Sequence, residues 1–233
     1  ANSPNPEVNF TASGNYTIQL LVSNAFGSNS TSKVVNIQIN GGIVASSFNQ
    51  NFETQAVCGT TSNCGTTVCN ITGLWSNLTN GAKDNIDWRI DVGGTPTANT
   101  GPSVDYNPGT AAGKYGYLEA TSCGAQTAIL ESQCIQLDQQ YDFVFAYHMF
   151  GTNMGSLHLD VFVNGVWNED FIPALTTNTG NTWNVATAQL YAYQGETIKI
   201  RLRGITGNGF ESDIAIDDLK FVPKCSTTTT WNG

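Results

Sequence analysis

Apolar positions along this chain recur with a period of two in short runs, and the helical period of 3.6 is almost absent. In Tyr16-Thr-Ile-Gln-Leu-Leu-Val-Ser23, Tyr16, Ile18 and Leu20 share one face. Asn24-Ala-Phe-Gly27 is a turn, and Val34–Ile39 is a returning strand with Val35, Ile37 and Ile39 on one face. Gly41-Gly42 then breaks the pattern and marks a boundary. A second unit opens with a predicted strand over Ser47–Glu53, followed by an apolar-poor, disulfide-tied loop from Cys58 to Cys69. Ile86–Ile90 is short and strand-like, whereas Thr95–Gly113, rich in Gly, Pro, Thr and Asn, predicts a long surface loop. Strands resume at Tyr115–Thr121 and Thr127–Ser132. The longest are Asp142–Met149, with Phe143, Phe145 and Tyr147 on one face, and Ser156–Val163, with Leu157, Leu159 and Val161 on one face. Gly151–Gly155 between them predicts a hairpin, and Asn164-Gly165 predicts another leading into Val166-Trp167. Thr197–Arg203 sets Ile198, Ile200 and Leu202 against Lys199, Arg201 and Arg203; Gly204–Ser212 is a turn region and Asp213–Val222 closes the unit. Strands at this spacing predict an all-β fold, an antiparallel β-sandwich of jelly-roll type.

Composition supports that reading and removes several functions. The 233 residues suffice for one large sandwich and part of another. Charged residues make up only 12%, so solubility must come from Asn, Thr, Ser, Gln and Gly, which disfavour helix. A net charge of −9 with nine Lys and Arg excludes phosphate-backbone binding and hence nucleic acid. No apolar run approaches the ~18 residues of a membrane span, so direct membrane insertion is not expected. Six cysteines, at 58, 64, 69, 123, 134 and 225, fit an oxidising compartment better than zinc, because neither CxxC nor a paired His completes a tetrahedral site. The expected pairings are Cys123–Cys134, two of Cys58, Cys64 and Cys69, and Cys225 onto the remaining early cysteine. The predicted organisation is 1–42, 43–225 and a linker at 226–233 toward a further region, in a mature or excised fragment of a larger secreted or cell-surface protein.

Several segments together resemble the MAM domain, the extracellular module of meprins, neuropilins and receptor tyrosine phosphatases. They are Asn51-Phe-Glu53, Cys58-Gly59, Asn85-Ile-Asp-Trp88, Thr100-Gly-Pro102, Gly116-Tyr-Leu-Glu119, Ala128-Ile-Leu-Glu-Ser132, Ala146-Tyr-His-Met-Phe-Gly151 and Asp213-Ile-Ala-Ile-Asp-Asp218, in the family's order over about 50–225. The chain departs from the pattern in lacking a cysteine at the start of the Tyr-His-Met strand, so the family's disulfides do not carry over. Residues 8–40, through Gly14–Gly27, are similar to the C-terminal half of a PKD domain, an immunoglobulin-like sandwich. The combination resembles secreted or cell-surface proteins of gliding Bacteroidetes.

No catalytic set is present: there is no HExxH, GxSxG or P-loop, and His148 and His158 both fall in predicted strands. The resemblance instead implies a structural cation, calcium or sodium, between first and last strands. Glu53 and Asp217 are its expected ligands, with Asp84 and Asp87 reaching in from a loop; the alternative is that the Asp217-Asp218 pair caps hydrogen bonds or pairs with Arg89 or Arg201. Among Trp75, Trp88, Trp167 and Trp183, Trp88 is expected in the core. Trp167 and Trp183, with Arg201, are candidate ligand contacts. The expected role is a non-catalytic adhesion or interaction module, engaging protein or polysaccharide at the cell surface beside other domains of its chain. The alternative is a carbohydrate-binding module attached to a secreted hydrolase.

Overall fold

The computed structural model describes residues 8, 10, 14–37, 41–58, 64, 69–81 and 83–225. It divides into two units, 1–41 and 42–233. The predicted linker at 226–233 lies outside the described residues.

In the first unit, β1 (Gly14–Asn24) and β2 (Gly27–Ile37) form an antiparallel hairpin, closing at Asn24 opposite Gly27. Gly27 has φ +144, a value open to glycine, and the Asn24 side chain accepts from the Phe26 amide at 2.8 Å. Residues 38 and 39 of the predicted returning strand lie outside the described residues. Ile18, Leu20, Leu21, Val22 and Val34 are exposed on this hairpin.

The second unit is built from β3 (Ile43–Val44), β4 (Asn49–Gln50), β5 (Trp75–Asn77), β6 (Arg89–Val92), β7 (Lys114–Leu118), β8 (Thr127–Ser132), β9 (Ile135–Gln136), β10 (Tyr141–Met149), β11 (Ser156–Val163), β12 (Val166–Asn168), β13 (Asn184–Gln189), β14 (Thr197–Ile205) and β15 (Ile214–Pro223). One sheet runs β13-β10-β15-β7-β6, with β4 beside β15. The other runs β12-β11-β14-β8-β5, with β9 joining β14 and β3 beside β9. Apart from the parallel β3–β9 pair, the pairings are antiparallel, giving the predicted sandwich.

The inner layer follows from alternation. Tyr141, Phe143 and Phe145 on β10 face Leu157, Leu159 and Val161 on β11 and Ile198, Ile200 and Leu202 on β14, all buried in one core. The Phe143 and Phe221 rings lie 5.0 Å apart, and Phe48 meets Phe221 edge-on at 5.7 Å. Each such ring contributes roughly 1.5–3 kcal/mol by leaving water. Trp75 and Trp88 are also in this core. Gly204 lets it close, since a Cβ there would meet Leu118 Cδ1 at 2.2 Å.

The structure corrects four expectations. Strands 142–149 and 156–163 are not a hairpin: β10 pairs with β13 and β15, β11 with β12 and β14, so Gly151–Gly155 carries the chain from one sheet to the other. Both strands carry a fully apolar face, and burying both against each other requires opposite sheets rather than one. The Asn164-Gly165 hairpin does form, with both residues at positive φ as its two-residue turn demands. The opening strand shrinks to Asn49–Gln50, because Ala45–Ser47 forms a 3-10 turn and Phe52 adopts φ 59. The strand at 86–90 starts only at Arg89 and runs to Val92. The bridges are Cys58–Cys69 and Cys64–Cys123, with Cys134 and Cys225 free. Cys123 turns back after β7, where the Cys64 amide donates to Thr121 O at 3.0 Å, so Cys64 rather than Cys134 is its neighbour.

Candidate functional site

The loop between β6 and β7 positions most of the unusual chemistry. It is a strap rather than the free surface loop its composition predicts. It lies over the outer face of the β13-β10-β15-β7-β6 sheet, with Thr100, Gly101, Pro102 and Asp105 buried. The outer residues Tyr115, Tyr117 and Ala215 form a second small core with Trp183. Trp183 fastens the strap by donating from Nε1 to Val104 O at 2.9 Å, and its ring meets Tyr106, Tyr115 and His148. His148 is fully buried, with Nε2 3.1 Å from Asn181 Oδ1; burial lowers its pKa to about 4, so the ring is neutral.

The last strand meets the same strap. Asp218, at φ 51, sits where the alternation of β15 changes parity: Ile214 and Ile216 face the core before it, Leu219 and Phe221 after it. Asp217 points outward and accepts from the Tyr106 and Asn107 amides at 3.0 Å each and from the Asp218 amide at 2.7 Å. Burial still raises its pKa to about 7, against those amide bonds.

The four predicted cation ligands do not share one contact set. Glu53 accepts from the Lys114 amide at 2.7 Å, and the Lys114 ammonium lies on the carbonyls of Glu53, at 3.0 Å, and Gln55, at 2.6 Å. A cation supplied by the chain itself thus occupies the end of the first strand. Asp84 accepts from the Ile129 amide at 3.3 Å on the other sheet. Asp87 accepts from the Cys69 amide and the Asn80 side chain. Asp84 and Asp87 are raised above the usual carboxylate range by burial, and Asp84 further by Asp87. Among the described residues, no group of three or more His, Cys, Asp and Glu side chains is arranged to hold a metal ion.

Sequence reasoning missed a different carboxylate group. Asp91, Glu119 and Asp213 are buried together with Arg89 at the β6–β7–β15 end of the strapped face. Asp213 accepts from the Ala120 amide at 2.9 Å and Glu119 from the Thr121 amide at 2.9 Å, which makes the two carboxylates neighbours. Burial first, then Glu119, raises Asp213 to about 7. Glu119 and Asp213 stand inside the Gly-Tyr-Leu-Glu and Asp-Ile-Ala-Ile segments, and acids ending otherwise apolar strands were the available signal.

Of the predicted ligand contacts, Arg201 is 5% exposed. It donates to Asp160 at 2.8 Å and Glu169 at 3.0 Å, and its guanidinium lies 4.2 Å over the Trp167 ring. Asp160 also takes Arg203 at 3.1 and 3.2 Å, and Lys199 binds Glu131 at 2.6 Å, so the basic stripe is neutralised in place. Ser156 Oγ and His158 Nε2 are 2.8 Å apart, and His158 Nδ1 and Asp170 Oδ1 2.5 Å, the contact order of a nucleophile, base and orienting carboxylate. Asp170 also holds Arg203 at 3.2 Å, so these contacts extend the Asp160 ion-pair network. Trp167, Trp183 and Arg201 do not converge: Trp183 lies with the strap, Trp167 and Arg201 on the opposite sheet. Beside the strap opens a cleft of about 400 Å3, whose lining includes Thr97, Asn99, Ser103, Phe150 and Asn181.

The chain is 32% identical over 152 residues to MAM domain-containing glycosylphosphatidylinositol anchor protein 2 of Mus musculus, covering 58% of this chain and 16% of that protein. It is 30% identical over 141 residues to Neuropilin-1a of Danio rerio, covering 58% and 15%. It thus spans under a fifth of the length of these animal relatives. A solved structure of the K1 cleaved adhesin domain of Lys-gingipain from Porphyromonas gingivalis superposes with a TM-score of 0.46 at 16% identity, over 76% of this chain and 98% of that one; likeness at that level carries no functional information. The family description MAM domain, meprin/A5/mu, matches residues 51–226, most of the chain and nearly all of the sandwich, and the chain belongs to the MAM family.

Proposed function

We propose that this protein is a non-catalytic extracellular module that binds a protein partner at the cell surface, within a larger multidomain polypeptide. The observation that carries the reading is family membership over residues 51–226. The relatives named for a glycosylphosphatidylinositol anchor and as a neuropilin support an extracellular setting. Two disulfides agree with an oxidising compartment. The hairpin at 14–37 belongs, on this reading, to an immunoglobulin-like PKD unit that other strands complete. Its exposed Leu20 and Leu21 are 60% and 66% open, and a lone two-stranded hairpin is marginal in water. The test displays the chain on beads and measures aggregation and binding to cell surfaces before and after protease stripping. Protease-sensitive binding is expected; binding that survives stripping but vanishes on deglycosylation would sink the protein-partner reading.

One observation favours a second reading, binding of a neutral glycan. The cleft beside the strap offers hydroxyls, side-chain amides and one aromatic ring, with no charged side chain in its lining. A glycan array with wild type and Phe150→Ala separates the two, because a sugar seated there loses its ring contact in the variant.

A further inference from the structure

His148, on β10, is fully buried, and its Nδ1 has no hydrogen-bond partner among the described residues. Its ring is held edge-on by Trp183 at 5.3 Å and Phe150 at 6.4 Å. Burial keeps the imidazole neutral, so it carries one proton on one of its two nitrogens. Buried N–H donors left without a partner are rarer than buried acceptors left without one, which places the proton on Nε2 and the bare lone pair on Nδ1. Nε2 then donates to Asn181 Oδ1 at 3.1 Å. That bond fixes the amide: Oδ1 faces the ring, and Nδ2 donates to Ser103 Oγ at 2.8 Å. Having accepted this bond, the Ser103 hydroxyl keeps its own proton to give elsewhere. Ser103 and Asn181 are both exposed, and both line the cleft beside the strap. The hydrogen bonds that start at the buried ring therefore run in one direction. They present two donors to the cleft, the Ser103 O–H and the second N–H of Asn181. The Thr100 hydroxyl, by contrast, is spent on Phe150 O at 2.8 Å.

We propose that this cleft is a subsite for an uncharged sugar residue, held through its acceptor oxygens by Ser103 and Asn181, with His148 as the positioning residue that sets the direction of the bonds. The assignment deepens the neutral-glycan reading and rests on it. Sugar hydroxyls and acetamido carbonyls are acceptors of the kind that an O–H and an amide N–H bind. A sialylated or sulfated unit finds no counter-charge, because no charged side chain lines the cleft. The volume of about 400 Å3 falls within the range of small-ligand sites, and Phe150 supplies an apolar surface beside the donors. The exchange of bonds also gives the histidine of the Tyr-His-Met strand a role beyond packing: it is out of reach of solvent yet decides which atoms the exposed pair turns to a ligand.

The test has two arms. Heteronuclear NMR of the histidine ring nitrogens reads the tautomer with no ligand present. The proton is expected on Nε2 of His148; a proton on Nδ1 overturns the relay and leaves the glycan reading standing. The second arm is an array of neutral, sialylated and sulfated glycans, followed by calorimetry with the best neutral hit in soluble form. Ser103→Ala is expected to weaken binding by about three- to tenfold, the scale of one hydrogen bond. Asn181→Asp should weaken it at least as much, because the new carboxylate accepts from both His148 and Ser103 and turns the serine proton away from the cleft. The two losses should not add, since Ser103 has no proton left for the ligand once Asn181 is replaced. Both positions are exposed, so the variants are expected to fold. Binding that is lost in Phe150→Ala but unchanged in Ser103→Ala and Asn181→Asp keeps a sugar in the cleft and overturns the assigned donors. Additive losses overturn the shared direction. A wild type that binds no glycan, or acidic glycans only, overturns the glycan reading and this assignment together.

Discussion

Lys114 grips Glu53 from two sides: its backbone amide donates to the carboxylate at 2.7 Å, and its ammonium returns to the Glu53 carbonyl at 3.0 Å. The same ammonium reaches Gln55 O at 2.6 Å, so one side chain ties the entry of the sandwich to β7. Lys114→Met keeps the stem and removes three donors. It is expected to lower unfolding free energy by about 1–2 kcal/mol, the scale of a charge-assisted hydrogen bond at a half-buried site. Urea titration checks this. An unchanged midpoint would show that the ammonium contacts add nothing.

Asp160 has no exposed surface, and its carboxylate binds Arg201 and Arg203 from the next strand. Burial pushes its pKa up, but hydrogen bonds from Arg203, the Asp170 amide and Arg201 outweigh that and hold it below the usual carboxylate value. Its contribution is therefore present above the unfolded carboxylate range and lost as pH falls through the lowered folded value. Asp160→Asn leaves two arginines without their shared counter-ion and is expected to cost about 3–5 kcal/mol. Double-mutant cycles with Arg203→Met measure the coupling; an additive result would contradict a shared network.

The two disulfides close loops of different length, with sequence separations of 11 for Cys58–Cys69 and 59 for Cys64–Cys123. Loop-closure entropy assigns about 3 kcal/mol to the first and about 4 kcal/mol to the second. Removing Cys64–Cys123 as a paired serine variant is therefore expected to lower the melting temperature more than removing Cys58–Cys69. Thiol titration of the native protein should modify Cys225, which is exposed, faster than the half-buried Cys134.

The alternation of β10, β11 and β14 was legible because each strand keeps one fully apolar face over its length. Their partners were not. Sheet membership depends on where the chain crosses between layers, and Gly151–Gly155 reads the same as a hairpin turn or as a crossover. The strap was misread for a related reason. Thr, Asn, Gly and Pro mark a loop whether it hangs in solvent or lies on a sheet, and only Tyr115, Tyr117 and Trp183 beneath it reveal that it covers a face. Asp217 was read from the sequence as a cation ligand, and in the structure its carboxylate accepts backbone amides. Its partners, the Tyr106 and Asn107 amides, are about a hundred positions away and leave no mark in the local pattern.

The strapped face also sets a pH dependence. Burial raises Asp213 and Asp217 to about 7 and lowers His148 to about 4. With chelator present, the two aspartates take up protons in the folded state well above the unfolded carboxylate range. Stability should therefore rise as pH falls from 8 toward 5 and be lost as pH rises through 7. His148 works the other way: between the unfolded His value near 6.5 and its folded value near 4, the unfolded chain binds the extra proton, so acidification costs stability there. Two carboxylates outweigh one imidazole, and the net slope stays positive on acidification until Asp160 begins to protonate. Asp217→Asn removes one titrating group and should flatten the slope by at most about 1.4 kcal/mol per pH unit. His148→Gln should steepen it between pH 6.5 and 5, whatever it does to absolute stability. Denaturation midpoints across pH 4 to 8 distinguish these. A profile that falls monotonically from pH 8 to pH 5 in chelator would mean that the acids under the strap are solvated, not buried.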